Sequence, residues 1–291
     1  MADLLYGKMN ADEYRNYILG LIFYKFLSEK QEKYADELLR KENKKFFDIK
    51  NDDKYIEAVK KASQEKLGYF LRPEETFTYI TDKGNKKYGE DNFILEDLKK
   101  TLKDIENTSK GNESEDDFSG LFNDLDLDSN KLGKTPNKQN ELIVEVMTKL
   151  NEIDFDLENS HSDILGDAYE YLLSKFASGA GKSAGEFYTP AMVSRLLSKI
   201  VTNGREKIKS VYDPTCGSGS LLIKVGKDAK VNDYFGQENN PTTHNLARMN
   251  MILRGIHFRD FDIRHGDTLV DDQFPDKKFE VIVANPPFSL P

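Results

Sequence analysis

One cysteine, Cys216, is all that the sequence contains. An internal disulfide is therefore excluded, and there is no Cys cluster for a structural zinc site. Histidine is scarce as well: His161, His244, His257 and His265 show no metal-ligand spacing, so surface or capping roles are expected of them and no metal is. Apolar runs of the roughly 18 residues needed to cross a bilayer are missing; the most apolar early stretch, 17–27, is interrupted by Lys25. With 38% hydrophobic and 11% aromatic residues, the composition is that of a globular chain with no membrane association. No secretory signal is visible at the N-terminus, which makes the cytoplasm the expected compartment. Positive charge is in deficit, at 42 Lys and Arg against 51 Asp and Glu, giving a net charge of −9. Such a balance opposes tight nonspecific binding to nucleic acid by the chain as a whole; a polyanionic substrate would need a local basic surface or a partner.

What is present divides in two. At 291 residues the chain has room for two domains. In the first part, Tyr14, Tyr17, Ile18, Leu21, Ile22, Tyr24, Phe26 and Leu27 recur at helical spacing, and the pattern stays mostly helical to about Phe155. Between Asn107 and Asn140 polar and small residues dominate, so loops forming a solvated connection are expected there. Asp124, Asp126 and Asp128 alternate as in a calcium loop, but Ser129 stands where glycine is needed and Thr135 where a bidentate Glu should be, and calcium is rejected. Glu141 to Leu150 and Ser162 to Phe176 again read as helices, the second with Ile164, Leu165, Ala168, Tyr169, Leu172 and Leu173 on one stripe. After Gly204 short apolar runs (211–212, 234–235, 261–263 and 279–284) alternate with helical segments, the rhythm of a parallel α/β sheet. The expected boundary gives a helical N-terminal domain over 1–158 and an α/β domain over 159–291.

Four segments of the second part carry chemistry. Val211-Tyr-Asp-Pro-Thr-Cys-Gly-Ser-Gly-Ser220 reads as a strand ending in Asp213, a small-residue loop, then a helix. Gly217 and Gly219 remove obstructing side chains, and the helix start offers unpaired N–H groups; a nucleotide site and a tight structural turn both fit. The next strand ends in Glu238, a carboxylate placed to accept hydrogen bonds from both hydroxyls of a ribose. Asp267, at the end of another apolar run, could bind an adenine amino group or cap a turn. Finally Phe279-Glu-Val-Ile-Val-Ala-Asn-Pro-Pro-Phe288 is a buried strand that delivers Asn285, with Pro286 and Pro287 stopping the strand and stiffening the corner. The Asn285 carboxamide oxygen and the Pro286 carbonyl can then accept both hydrogens of one planar amino group. Phe288 offers an apolar face for a flipped base.

Asp213-Pro-Thr-Cys-Gly-Ser-Gly219 together with Asn285-Pro-Pro-Phe288 resembles the amino-methyltransferases of the class I, Rossmann-like fold, in particular the DNA adenine-N6 branch. Gly185-Glu-Phe-Tyr-Thr-Pro190 is similar to the motif that precedes the catalytic core in the modification subunits of type I restriction-modification systems, and Tyr17 to Glu29 is similar to their N-terminal domain. The resemblance implies S-adenosylmethionine as cofactor, contacted by Glu186, Phe187, Tyr188, Thr189, Pro190, Asp213, Gly217, Ser218, Gly219, Ser220, Glu238 and Asp267. It implies a target-base site of Asn285, Pro286, Pro287 and Phe288, methyl transfer to the N6 of an adenine flipped out of double-stranded DNA, and no metal. The implied partners are a specificity subunit, a second modification subunit and, in some systems, a restriction subunit. The family's sheet has three further strands, so the Rossmann-like domain is expected to be truncated after its fourth strand and the chain to be part of a longer protein. A protein glutamine-N5 methyltransferase, which uses the same Asn-Pro-Pro device, and a non-catalytic assembly module stay open as alternatives.

Overall fold

Tyr17 to Leu27 has apolar residues on every side of a helix, and a helix of that kind can only sit inside other helices. The computed structural model, which describes residues 9, 11–155, 164–179 and 189–287, places it so. Helix α1 (Ala11–Leu39) is buried around its whole circumference from Tyr17 to Leu27. Lys25 shares that burial at 2% exposure. Its ammonium donates to the carbonyl of Ile153 at 2.8 Å, pairs with Glu29, and lies 4.2 Å from the centre of the Phe155 ring, which meets the requirement that a buried charge be compensated.

Against α1 pack α2 (Asp53–Leu67), α3 (Phe77–Gly84) and, further along the chain, α6 (Pro136–Asn151), while α4 (Leu95–Ser109) packs on α6 and the four-residue α5 (Glu115–Phe118) on α4. Their starts follow from local chemistry: the Asp52 and Thr76 side chains accept the N–H groups of Tyr55 and Tyr79, and Thr135 accepts that of Lys138 just ahead of a helix opened by Pro136. The polar stretch 107–140 is not the solvated connection that its composition suggests. Phe118, Leu121, Phe122, Leu127 and Leu132 are all buried, the Phe122 ring lies 5.9 Å from Phe23 of α1, and the last residues of the stretch already belong to α6. A few large apolar side chains outweigh many exposed polar neighbours, because each buries enough area to contribute on the order of 2 kcal/mol. Asp128 of the former calcium candidate pairs with Lys99 at 2.6 Å.

The chain forms two compact units, Met1–His161 and Ser162–Pro291. In the second, helices α7 (Ile164–Gly179) and α8 (Ala191–Thr202) precede strand β1 (Lys207–Asp213), followed by α9 (Ser220–Asp228), β2 (Lys230–Glu238), α10 (Pro241–Leu253), β3 (Phe261–His265) and β4 (Val281–Ile282). All pairings are parallel, in the order β3-β2-β1-β4. This is the parallel α/β sheet expected from the alternation of short apolar runs with helices. β4 is shorter than the apolar run 279–284, although the N–H of Val283 still donates to the Tyr212 carbonyl at 2.9 Å. Beyond it two prolines without N–H groups can add nothing to the ladder. Helix α7 is tied to α10 and its C-terminal flank by Arg254, whose guanidinium donates to Asp167 at 2.8 Å and Glu170 at 2.7 Å, and by the Tyr169 hydroxyl against Met249.

Candidate active site

In a parallel sheet every strand delivers its last residue to the same edge. Where the strand order reverses, the loops leaving two neighbouring strands turn away from each other and open a crevice. Here the reversal lies at β1: the chain moves outward to β2 and β3, then returns to β4 on the other flank of β1. Asp213 and the glycine turn leave the carboxyl end of β1; Asn285, Pro286 and Pro287 follow β4 at the same edge, two residues beyond the Val283 bond to β1. The two corners that carry the motifs therefore share one side of the sheet.

The glycine turn is held from several directions. Gly217 and Gly219 adopt left-handed backbone, at φ +54° and +76°. The N–H of Cys216 donates to the Gln237 carbonyl at 2.9 Å, and the N–H of Gly217 to Glu238 Oε2 at 3.0 Å. From below, the fully buried Asn250 of α10 donates its amide N–H to the Ser218 carbonyl at 2.9 Å. The Ser218 and Ser220 hydroxyls lie 3.1 Å apart at the start of α9. Glu238 accepts a second main-chain N–H, from Asn240, on Oε1 at 2.8 Å. A further main-chain N–H, from Asn239, also faces this carboxylate, whose two oxygens are the kind of acceptor pair that a vicinal diol needs.

Asp213 is 2% exposed, and its Oδ1 accepts the N–H of Thr215 at 3.0 Å. Burial, with the neighbouring Glu238 charge adding to it, pushes its carboxyl up to about 7. Glu238 is raised too, by burial, against the pull of the N–H groups it accepts. Among the described residues no basic side chain pairs with Asp213. A buried acid lacking a cation beside a pair of diol acceptors fits a ligand that is adenosine at one end and cationic at the other, and S-adenosylmethionine has that chemistry. Burial, then the two carboxylates, also push the Cys216 thiol well up, so it stays a neutral S–H of no nucleophilic use.

Asp267 stands partly exposed after β3, and its Oδ1 accepts the N–H of Leu269 at 3.0 Å, the turn-capping bond that its sequence allowed. Thr189 and Asn285, 96 residues apart in sequence, are brought together: the Asn285 amide donates to the Thr189 hydroxyl at 3.4 Å. Pro190 follows Thr189 as the residue before α8. Glu186, Phe187, Tyr188 and Phe288 lie outside the described residues. The motifs gave no hint of Asn250, Gln237 or Thr268, whose side chains hold the loops from within; for Gln237 and Asn250 the signal is a buried polar residue inside a strand and a helix, and Thr268, in the loop after β3, has none.

Residues 160–291 match the family described as N-6 DNA Methylase, and residues 1–150 match the HsdM N-terminal domain. The chain belongs to the type I methylase-subunit family. The type I restriction enzyme MpnII methylase subunit of Mycoplasma pneumoniae is 37% identical over 100% of this chain and 56% of its own length. The MjaIX methylase subunit of Methanocaldococcus jannaschii is 29% identical over 99% of this chain and 50% of its own. Among solved structures, the type I restriction-modification system methyltransferase subunit of Streptococcus thermophilus superposes with a TM-score of 0.84 at 35% identity, covering 99% of this chain and 61% of that one. The chain thus spans about half the length of the curated methylase subunits it matches.

Proposed function

We propose that this chain carries the cofactor site and target-base corner of a DNA adenine-N6 methyltransferase, the modification subunit of a type I restriction-modification complex. The observation that carries the reading is the meeting of two distant motifs at one sheet edge, where Asn285 follows β4 beside the Asp213 turn and its amide is tied to Thr189. In this reading the helical portion, 1–158, serves assembly and the portion 159–291 serves catalysis.

S-adenosylmethionine, when bound, supplies an electrophilic methyl group on a sulfonium. Glu238 would accept the two ribose hydroxyls, Asp267 would face the adenine amino group, and Asp213 with Thr189, Pro190 and the Gly217–Ser220 turn would hold the methionine end. Asn285 Oδ1 and the Pro286 carbonyl would accept both hydrogens of the target amino group. Two acceptors in one plane hold the nitrogen so that its lone pair turns out of conjugation and toward the methyl. Neither acceptor is basic enough to remove a proton beforehand, so positioning supplies most of the acceleration. Glu186, Phe187 and Tyr188 would complete the sulfonium side, and Pro287 and Phe288 the wall on which the extruded base stacks.

With a net charge of −9, the chain suits a division of labour in which a specificity subunit, shared with a second modification subunit, grips double-stranded DNA. The test is methyl transfer to host-sequence DNA by the full-length protein with its specificity partner. Asn285→Ala should keep cofactor binding and lower the turnover rate by about 10²- to 10³-fold. Unchanged transfer by that variant, or no cofactor binding by the unsubstituted complex, overturns the reading.

A further inference from the structure

Gln237 stands one residue before the acid that closes β2, and it is fully buried. Successive residues of a strand face opposite sides of the sheet, so Gln237 points away from the face that Glu238 serves. Its main-chain carbonyl accepts the N–H of Cys216 in the glycine turn. Its side chain reaches the other loop of the site: Nε2 donates to the Asp271 carbonyl at 2.7 Å, and Oε1 accepts the N–H of Gln273 at 3.2 Å. The orientation of the amide is fixed by these partners, since a carbonyl can only accept and a main-chain N–H can only donate. The Tyr212 hydroxyl lies 3.4 Å from the same Oε1.

The loop that Gln237 grips, 266–273, is held by polar bonds, among them one from the Arg264 guanidinium to the Gln273 carbonyl at 2.7 Å. Leu269 and Val270 at its tip are 81% and 84% exposed, so apolar burial does not anchor it. Polar ties do: the N–H of Gly266 donates to the Glu238 carbonyl at 3.0 Å, the Thr268 hydroxyl to the Pro214 carbonyl, and residues 271 and 273 bond to the Gln237 amide. Gly266 lets the loop start against Gln237; a Cβ there would stand 3.1 Å from Nε2, on backbone at φ +157°. Asp267 sits between these ties.

We propose that Gln237 is a positioning residue for cofactor recognition: its amide clamps the loop after β3 in the one arrangement that presents Asp267 to the adenine end of the ligand, while its carbonyl sets the glycine turn on the other side. The inference rests on the methyltransferase reading above. Gln237 touches no substrate; it acts through Asp267.

The test is a double-substitution cycle on the full-length protein in complex with its specificity partner, read as the dissociation constant for S-adenosylmethionine. Gln237→Met preserves volume and removes both bonds to the loop; the constant should rise about tenfold, with turnover at saturating cofactor nearly unchanged. Asp267→Ala should weaken binding by a similar factor, and the double variant should bind no more weakly than Asp267→Ala alone. Factors that multiply show that Gln237 serves stability without acting through Asp267, and overturn the proposal; so does wild-type affinity of Gln237→Met. Should Gln237→Met fail to fold, Gln237→Glu keeps the shape and the acceptor while losing the donor, and takes its place in the cycle. Independently of any variant, the Gln273 amide should exchange its hydrogen slowly despite lying in an exposed loop, and rapid exchange overturns the clamp. Failure of the unsubstituted complex to bind S-adenosylmethionine sinks the functional reading itself, whereas the other outcomes bear on Gln237 alone.

Discussion

The Asn285 amide nitrogen donates to the Thr189 hydroxyl at 3.4 Å. This bond links the strand-end corner to the segment before α8. With Nδ2 directed to Thr189, the oxygen is the end left to accept from a substrate amino group.

Thr189→Val removes the hydroxyl with little change in volume, so the amide loses the partner that tethers it to the segment before α8. The turnover rate should fall several-fold, to about tenfold, because one neutral hydrogen bond is at stake. Thr189→Ser should restore most of it. Steady-state methylation kinetics decide the point; if Val and Ser variants turn over equally fast, Thr189 does not tether Asn285.

In the helical unit the buried Lys25 makes a different demand. Lys25→Met keeps the stem and removes the cation, which leaves the Ile153 carbonyl and the Glu29 carboxylate without their donor. Burial already raises the Glu29 carboxyl, and Lys25 draws it back down. Because Glu29 keeps part of its exposure, the loss should be about 2 kcal/mol rather than the larger figure for a fully buried broken pair. Adding Glu29→Gln should recover part of that loss. Chemical denaturation of the three variants measures it, and an unshifted midpoint for Lys25→Met means that the buried cation is not a stabilising partner.

How much of this was legible in advance depended on whether the determinant was local. The glycine turn, Glu238 at the end of β2 and the Asn285 corner are written as contiguous residues in which an apolar run meets a breaker, and the structure delivers each of them to a strand end. The parallel sheet was legible for the same reason. Residues 107–140 were misread because polar residues outnumber Phe118, Leu121, Phe122, Leu127 and Leu132, whereas burial is decided by the few large side chains and not by the count. Gln237, Asn250 and Thr268 could not be read as loop clamps at all. Their partners, at 271–273, 218 and 214, are fixed only once β2, β3 and α10 have packed.

Asp213→Asn separates stability from function. The folded carboxyl, raised to about 7, holds its proton over a range in which the unfolded carboxyl, near its ordinary value of 3.8, has lost it. Between those two values the folded state binds more protons, so stability falls as pH rises, and the full penalty is present above about 7. Asparagine carries no such penalty and can still accept the Thr215 N–H. The variant should match the parent near pH 4 and become the more stable one, by a few kcal/mol, at pH 8. It should also bind S-adenosylmethionine far more weakly. Thermal melts across that range check the first half and calorimetry the second; a variant that is less stable than the parent at pH 8 contradicts the buried-acid account.

The same carboxyl provides a signature of the ligand's charge. A cation seated beside Asp213 lowers its pKa, so near pH 7, where the free site is partly protonated, binding must expel protons. An uncharged ligand in the same place would expel none. Titrating S-adenosylmethionine calorimetrically at pH 7 in phosphate and in Tris, whose ionisation enthalpies differ, should give apparent enthalpies that differ in proportion to the protons released, up to about half a proton per site. The difference should shrink at pH 9, where Asp213 is already ionised. Glu238 is also raised, so the Asp213→Asn variant serves as the control, and its binding enthalpy should depend much less on the buffer. Equal enthalpies for the parent in the two buffers at pH 7 mean that the positive end of the cofactor does not lie against Asp213, and the assignment of the methionine end to this turn would have to be abandoned.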